Sequence, residues 1–243
     1  MGVVKNRRSK RLSRLIMFFF IILSIVIYFN SSISKITQIE IVGLELLTEE
    51  EVYNLAEIKS GMQYLFLSTS RMSEKLLKEK KVKTVEVEKK FPGKLSIHII
   101  ENQIIAYLYH SNKEWRPILE NGYILDNGNN MSYINRPLIT NWPKQENVSL
   151  LAAELTRVQP MILENISEIQ YNREALEEDR LLLYSKDGYT IHVYLNELAN
   201  KLNLLPGIIN QLKEKKYSTG EIYLLDSIRF EEYKNNEGKE NES

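Results

Sequence analysis

The chain has 243 residues, no cysteine, and 32 acidic side chains against 32 basic ones. The missing cysteine excludes a disulfide-stapled scaffold, a Cys-ligated zinc or iron–sulfur site and a thiol nucleophile. At 43% hydrophobic and 26% charged the composition is that of an ordinary globular protein, and the zero net charge by itself argues for neither nucleic acid nor anionic lipid as a partner.

That zero is a sum of unlike parts. Residues 1–14 carry Lys5, Arg7, Arg8, Lys10, Arg11 and Arg14 and no acid, so residues 15–243 hold six more acids than bases. Directly after this basic tip, Leu15 to Phe29 is uncharged and free of Gly and Pro. At about 1.5 Å per residue that run falls short of a hydrocarbon core of about 30 Å, and its flanks extend it to a span over 15–33. A cleaved signal peptide would have only Ser32-Ile33-Ser34 as a poor A-x-A-like site; the run exceeds a usual signal core, is bulky up to Phe29 and has no Ala before the cut, so an uncleaved anchor is the better reading. The flanking cations place residues 1–14 in the cytoplasm and the remainder outside it.

Residues 36–101 read as β-α-α-β-β. Ile36 to Val42 is a strand stopped by Gly43, and Thr48-Glu49-Glu50-Glu51 opens a helix with a capping box. A second helix is predicted over 69–81, with Met72, Leu76 and Leu77 inward. Val85 and Val87, then Leu95, Ile97 and Ile99, alternate with polar residues as half-buried strands do, around a turn at Phe91-Pro92-Gly93.

Residues 103–230 are richer in strands. Strands are expected at Tyr107 to Tyr109, Ile166 to Tyr171, Arg180 to Ser185 and Tyr189 to Tyr194, with Asn121-Gly122 closing a hairpin over 117–125. Asn127 to Asn130 reads as a loop and Arg136 to Ile139 as a short strand or turn. One helix is placed at 149–159, and another at 197–215 that Pro206 and Gly207 kink or split. Glu221 to Asp226 and Ser227 to Phe230 form a last strand or strand pair, and the aperiodic residues 231–243 read as a disordered tail.

The chemical inventory is thin. His98, His110 and His192 stand alone, and His98 and His192 fall on polar strand faces, where solvation is expected. Ser32-Ile33-Ser34-Lys35 and Lys59-Ser60-Gly61 match two boxes of penicillin-binding enzymes. They lie too close together to hold a catalytic domain between them, so a wall enzyme is disfavoured. Glu49 to Glu51 suits the positive end of a helix, and Glu177-Glu178-Asp179 suits a solvated loop. Trp115 and Trp142 are expected to pack rather than to bind substrate. No catalytic residue, cofactor or metal site is expected. An anchored binding module remains, and the last strand, before a polar tail, is a candidate sheet edge for strand addition.

Several motifs, taken in order, resemble the bacterial cell-division family FtsQ/DivIB, in its Gram-positive form. They are Ile36-x-x-Ile39-x-Ile41-x-Gly43, Leu47-Thr48-Glu49-Glu50-Glu51-Val52, Ile58-x-x-Gly61, Val82-x-x-Val85-x-Val87 and Phe91-Pro92-x-x-Leu95-x-Ile97-x-Ile99-x-Glu101. Ile105-Ala106, Gly122-Tyr123-Ile124-Leu125, Pro137-Leu138-Ile139-Thr140, Asp187-Gly188-Tyr189, Lys201-Leu202-x-x-Leu205 and Gly220-Glu221-Ile222-Tyr223-Leu224 continue the likeness. The family pattern carries Asp where Tyr223 stands, and its aromatic close is here only Phe230-Glu231-Glu232-Tyr233.

The resemblance implies an α+β protein: a cytoplasmic tip (1–14), one transmembrane helix (15–33), a POTRA domain (34–102), a strand-rich "β domain" with an open edge (103–230) and a tail (231–243). It implies a non-enzymatic division scaffold in the cell membrane, enriched at the septum. Its implied partners are two bitopic division proteins, FtsL and DivIC (the FtsB counterpart), and a septal peptidoglycan synthase. The implied contact is the terminal strand, Glu221, Ile222, Tyr223, Leu224, Leu225, Arg229 and Phe230, supported by the 180–194 hairpin. A POTRA-bearing chaperone or secretion factor is the alternative.

Overall fold

The computed structural model describes residues 7–110, 114–126, 135–142, 148–172 and 179–233, with side chains from residue 12 onward except at 110 and 114. Lys5, the loop at 127–130, Glu177, Glu178 and most of the tail lie outside the described residues, as does the side chain of His110. The chain divides into two compact units, residues 1–101 and 102–243.

The first unit begins with α1 (Arg7–Asn30). A bulky apolar run without helix breakers gives this helix no reason to stop. Its stretch Leu12–Asn30 has a mean hydropathy of 2.4, with none of it buried. It is long and apolar enough to cross a membrane. The helix ends at Asn30 rather than at residue 33, because the Asn30 side-chain amide donates to the Val26 carbonyl and Ser31 caps a 3-10 turn, Ser32–Ser34.

Then follow β1 (Gln38–Val42), α2 (Glu49–Ala56), α3 (Thr69–Leu76), β2 (Val82–Lys90) and β3 (Lys94–Glu101). The sheet order is β1-β3-β2, with β1 parallel and β2 antiparallel to β3. Ile36, Val52, Ala56, Met72, Leu76, Leu95, Ile97 and Ile99 form its core. The capping box is present: Thr48 N–H donates to the Glu51 carboxylate (2.7 Å) and Glu51 N–H to the Thr48 hydroxyl (3.2 Å). Helix α3 is shorter than its apolar spacing predicts. It ends at Leu76, the chain turns through Glu79 into β2, and Leu77 falls off the inward face, 50% exposed.

Two residues close this unit. Gly43 has φ +90°, and a Cβ there would sit 1.9 Å from the Ile99 carbonyl oxygen, so only glycine lets the chain leave β1 against β3. Glu101, at the end of β3, is buried and takes the N–H groups of Glu45 (3.0 Å), Leu46 and Leu47 (2.9 Å). One carboxylate thus satisfies three consecutive donors of the β1–α2 loop, which has no ladder partner to offer them.

The second unit is an eight-stranded mixed sheet packed on helices. Its strands are β4 (Ile104–His110), β5 (Glu114–Leu119), β6 (Leu138–Thr140), β7 (Ile166–Tyr171), β8 (Arg180–Ser185), β9 (Tyr189–Tyr194), β10 (Gly220–Leu224) and β11 (Ile228–Glu232). They run in the order β11-β10-β9-β8-β7-β6-β4-β5. The helices are α4 (Val148–Thr156), α5 (Pro160–Asn165), α6 (Leu198–Leu202) and α7 (Leu205–Glu214). Leu181, Leu183, Ile191, Val193, Ile222 and Leu224 face the core, where they meet Leu151, Leu155, Leu198 and Leu202.

The helix predicted at 149–159 forms as α4, ending three residues early, and a second helix that the sequence reading does not expect, α5, follows it. Pro160 starts α5 because a first-turn proline needs no N–H partner. Pro206 does the same in α7, so the predicted 197–215 helix is split. The Asn121-Gly122 turn forms as expected, but its second arm is only a single bridge between Ile118 and Ile124.

The Glu101 cluster yields a direct test. Glu101→Ala removes a charged acceptor from three N–H groups and should cost about 3 kcal/mol or more. Chemical denaturation should show that loss, with faster exchange at the Glu45 to Leu47 amides. An unchanged midpoint would contradict the role given to this carboxylate.

Candidate functional site at the C-terminal sheet edge

The two ends of the large sheet differ. At one end, β5 contains Pro117, which cannot donate to a ladder. Beyond it, Leu119 N–H donates to the Tyr123 carbonyl and Leu125 N–H to the Pro117 carbonyl, both at 2.9 Å, so the 123–125 segment covers that edge. At the other end, β11 pairs with β10 on one side, and among the described residues no strand lies on its other side. An exposed edge of this kind is a template for a further strand.

This geometry corrects the expected edge. Glu221, Ile222, Tyr223 and Leu224 belong to β10, which is held between β9 and β11. Ile222 and Leu224 are fully buried. Leu225 lies in the turn, where its carbonyl accepts from Lys201 Nζ (2.8 Å). The physical reason is that turn: the chain reverses over residues 225–227, so the stretch read as terminal becomes a hairpin and only its second strand is outermost. Of the residues named from sequence, Arg229 and Phe230 are on the edge. Ile228, Glu231 and Glu232 share it, and sequence reasoning stopped short of the last two.

The edge strand is anchored on both faces. On the core side, the Phe230 ring meets Tyr217 (5.1 Å) and Tyr189 (6.5 Å). Tyr189 is buried and donates its hydroxyl to the Tyr217 carbonyl (2.8 Å). Gly220 makes room: with φ +153°, a Cβ there would lie 2.6 Å from the Phe230 ring.

On the opposite face, His192, Tyr223 and Arg229 form one rung across three strands, since Tyr223 pairs with both of the others. The imidazole stacks on the Tyr223 ring at 4.3 Å and 7°, and the Arg229 guanidinium lies over the same ring at 4.3 Å. In the next rung Glu221 faces Glu231, a like-charge pair that is destabilising by itself. Partners relieve it. Glu221 accepts from the Tyr223 hydroxyl (2.6 Å) and meets His192 Nε2 (2.9 Å), while Glu231 pairs with Arg229 (3.2 Å). Arg180 Nη2 lies 3.4 Å from His192 Nδ1, and the Thr190 and Tyr233 hydroxyls are hydrogen-bonded.

His192 is therefore not the solvated histidine that its face predicts. It is half-buried and contacted from the two flanking strands, by Arg180 of β8 and by Glu221 and Tyr223 of β10. Only a sheet order could have shown this, because its partners lie 12, 29 and 31 positions away in sequence. His98 is exposed, as expected.

These contacts set the titration. Burial holds the His192 imidazole below its ordinary value, against the pull of Glu221. The Tyr223 hydrogen bond, aided by His192, holds the Glu221 carboxyl below the usual carboxylate range. The same bond to Glu221 pushes Tyr223 up to about 12. The cluster is built for a neutral imidazole, an ionised carboxylate and a protonated phenol. It has no nucleophile paired with a base, and among the described residues no group of three metal-ligating side chains comes together.

The two stretches that match the penicillin-binding boxes adjoin through backbone pairing, with Gly61 N–H donating to the Ile36 carbonyl (2.8 Å). Ser32 is exposed at the foot of α1, its carbonyl bonded to Lys35 N–H, and Lys59-Ser60-Gly61 follows the end of α2.

The depressed pKa values of His192 and Glu221 give stability that is present above their unfolded values and lost as pH falls, first through the imidazole and then through the carboxylate. The raised Tyr223 value gives stability lost only as pH rises towards about 12. Tyr223→Phe should move the Glu221 pKa upward, towards that of an ordinary glutamate, in a carboxylate-detected NMR titration. It should also weaken the acid dependence of unfolding. An unmoved Glu221 pKa would contradict the assigned cause.

Residues 34–102 match the family model for a POTRA domain of FtsQ type, and residues 106–226 match the C-terminal model of the cell division protein FtsQ/DivIB. The cell division protein DivIB of Bacillus subtilis (strain 168) is 32% identical over 96% of this chain and 88% of its own length. DivIB of Bacillus anthracis is 32% identical over 87% and 80%. The solved major extracytoplasmic domain of DivIB from Geobacillus stearothermophilus is 28% identical and covers 47% of this chain and 96% of its own, with a TM-score of 0.40. With one helix among the described residues long and apolar enough to cross a membrane, its β-α-α-β-β unit and its strand-rich second unit, this single-pass membrane chain belongs to the FtsQ/DivIB family of cell division proteins.

Proposed function

We propose that the chain is a non-enzymatic scaffold of the division machinery, which accepts a strand from a bitopic partner along β11. The observation that carries the reading is the asymmetry of the large sheet. One edge is blunted by Pro117 and covered, while the other is open and anchored on both faces. Strand addition supplies affinity through main-chain bonds and specificity through alternate side chains, here Ile228, Phe230 and Glu232 on one face and Arg229 and Glu231 on the other.

In this reading residues 1–14 lie in the cytoplasm and the helix crosses the membrane once. Residues 34–102 act in recruitment to the septum, and residues 103–232 take the partner. Lys5, Arg7, Arg8, Lys10, Arg11 and Arg14 are the topology signal. The partners are FtsL and DivIC, and through them a septal peptidoglycan synthase. The relatives' names, cell division protein DivIB, support a role in division. Depletion should give filamentous cells, and a fluorescent fusion should collect at the septum.

The edge is tested by proline scanning of residues 228–232 in the full chain. Prolines whose N–H faced β10 will disrupt the hairpin. Prolines at the alternate positions will leave the thermal midpoint nearly unchanged and abolish co-purification of FtsL and DivIC. If capture survives every substitution that leaves the domain folded, strand addition at β11 is wrong.

A further inference from the structure

A second feature lies in the first unit, at the foot of α1. The run Gly61 to Ser70 contains no charged residue. Its Leu65 is 57% exposed and its Phe66 73% exposed, and Phe91, from the β2–β3 turn, is 71% exposed beside Tyr64 (6.4 Å between rings). Single exposed hydrophobics are ordinary, but three large ones on two adjoining loops form a patch that calls for a partner.

The position of this patch is fixed by the segment that leaves α1. Tyr64 N–H donates to the Ser34 carbonyl, Ile36 N–H to the Met62 carbonyl and Gly61 N–H to the Ile36 carbonyl, each at 2.8 Å. The Gln63 side-chain amide donates to the Phe29 carbonyl (3.3 Å), and the Phe66 ring stacks on the Phe29 ring at 5.6 Å and 4°. From within, Lys89 Nζ holds the loop through the carbonyls of Tyr64 (3.1 Å) and Leu67 (2.8 Å).

Phe29 is the penultimate residue of the apolar stretch Leu12–Asn30. Nineteen residues at about 1.5 Å each nearly fill a hydrocarbon core of about 30 Å, so Phe29 falls at the boundary between hydrocarbon and headgroups. Whatever depth Phe29 has, Phe66 shares it to within a ring stack. Aromatic side chains favour this depth.

We propose that Leu65 and Phe66, flanked by Phe91, form a lipid-binding wedge that seats the first globular unit in the outer interface of the membrane its own helix crosses. The partner is lipid rather than a protein groove, because the patch is continuous with the lipid-facing end of α1. The wedge would set the tilt of this unit relative to the membrane and so the height at which the rest of the chain is presented. It rests on α1 being a transmembrane span.

The chain has no cysteine, so single cysteines report unambiguously. Ile22→Cys, Leu65→Cys, Phe66→Cys and Thr84→Cys would each carry a nitroxide on the full-length chain. The host would be vesicles of phosphatidylethanolamine and phosphatidylglycerol. Thr84 is an exposed control towards the far end of β2, about 20 Å along the strand from Lys90. Power saturation with oxygen, which partitions into lipid, and with a water-soluble nickel chelate gives an accessibility ratio at each site. The expected ratio is highest at position 22 and several-fold higher at 65 and 66 than at 84. Positions 65 and 66 as open to chelate as 84 would overturn the wedge while leaving the span intact. Exclusion of both reagents at 65 and 66 would mean burial against protein, and would overturn it too. Chelate access at position 22 would remove the span and the wedge with it.

Discussion

Parallel strands cannot be joined by a tight turn, and β10 pairs parallel with β9, so a crossover between them is required. The chain must leave β9, cross a face of the sheet and return, and the crossover here is α6 and α7. Their buried Leu198, Ala199, Leu202, Leu205, Ile209 and Leu212 supply much of the core that covers Ile191, Val193, Ile222 and Leu224. Because β10 is thereby committed to β9, the chain has one remaining choice at its other side. It turns over three residues and lays down β11. The sheet then ends in a strand that nothing among the described residues covers.

What keeps so short an outer strand in place is side-chain anchoring rather than a second ladder. Phe230 reaches the core through the opening that Gly220 leaves, and Arg229 lies on the tyrosine that His192 also stacks against. The Glu221–Glu231 juxtaposition would weaken the hairpin if both charges lacked company. Tyr223, His192 and Arg229 provide it, so the stability of the edge is tied to protonation states that hold near neutral pH. A strand-accepting edge needs this combination: a backbone left free on one side, and side chains that prevent it from fraying.

Much of this was legible in the sequence, and the residues show why. Alternation of Ile191 and Val193 with polar neighbours marked the strand at 189–194, and the strands expected at 166–171 and 180–185 form with those bounds. The capping box at Thr48 and Glu51 fixed the start of α2. Local spacing could not reveal the early end of α3, where the turn before β2 overrides a continuing apolar pattern. It could not show that Pro160 begins a helix of its own. The edge was displaced by one strand because a three-residue turn without glycine or proline gives a weak local signal. The His192 cluster was missed for a different reason. Alternation places a residue on a face but is silent about which strands share that face. The Glu101 carboxylate was visible only as a strand end, since its three partners lie 54 to 56 residues away.

The central claim is that β11 is an open edge that a partner strand completes. Amide hydrogen exchange on the full-length chain in lipid, with and without the soluble parts of FtsL and DivIC, addresses it directly. Alternate amides within Ile228–Glu232, those facing away from β10, exchange freely in the isolated chain and become protected with the partners, while β5 is unaffected. Protection that appears only elsewhere, with β11 unchanged, would contradict the account.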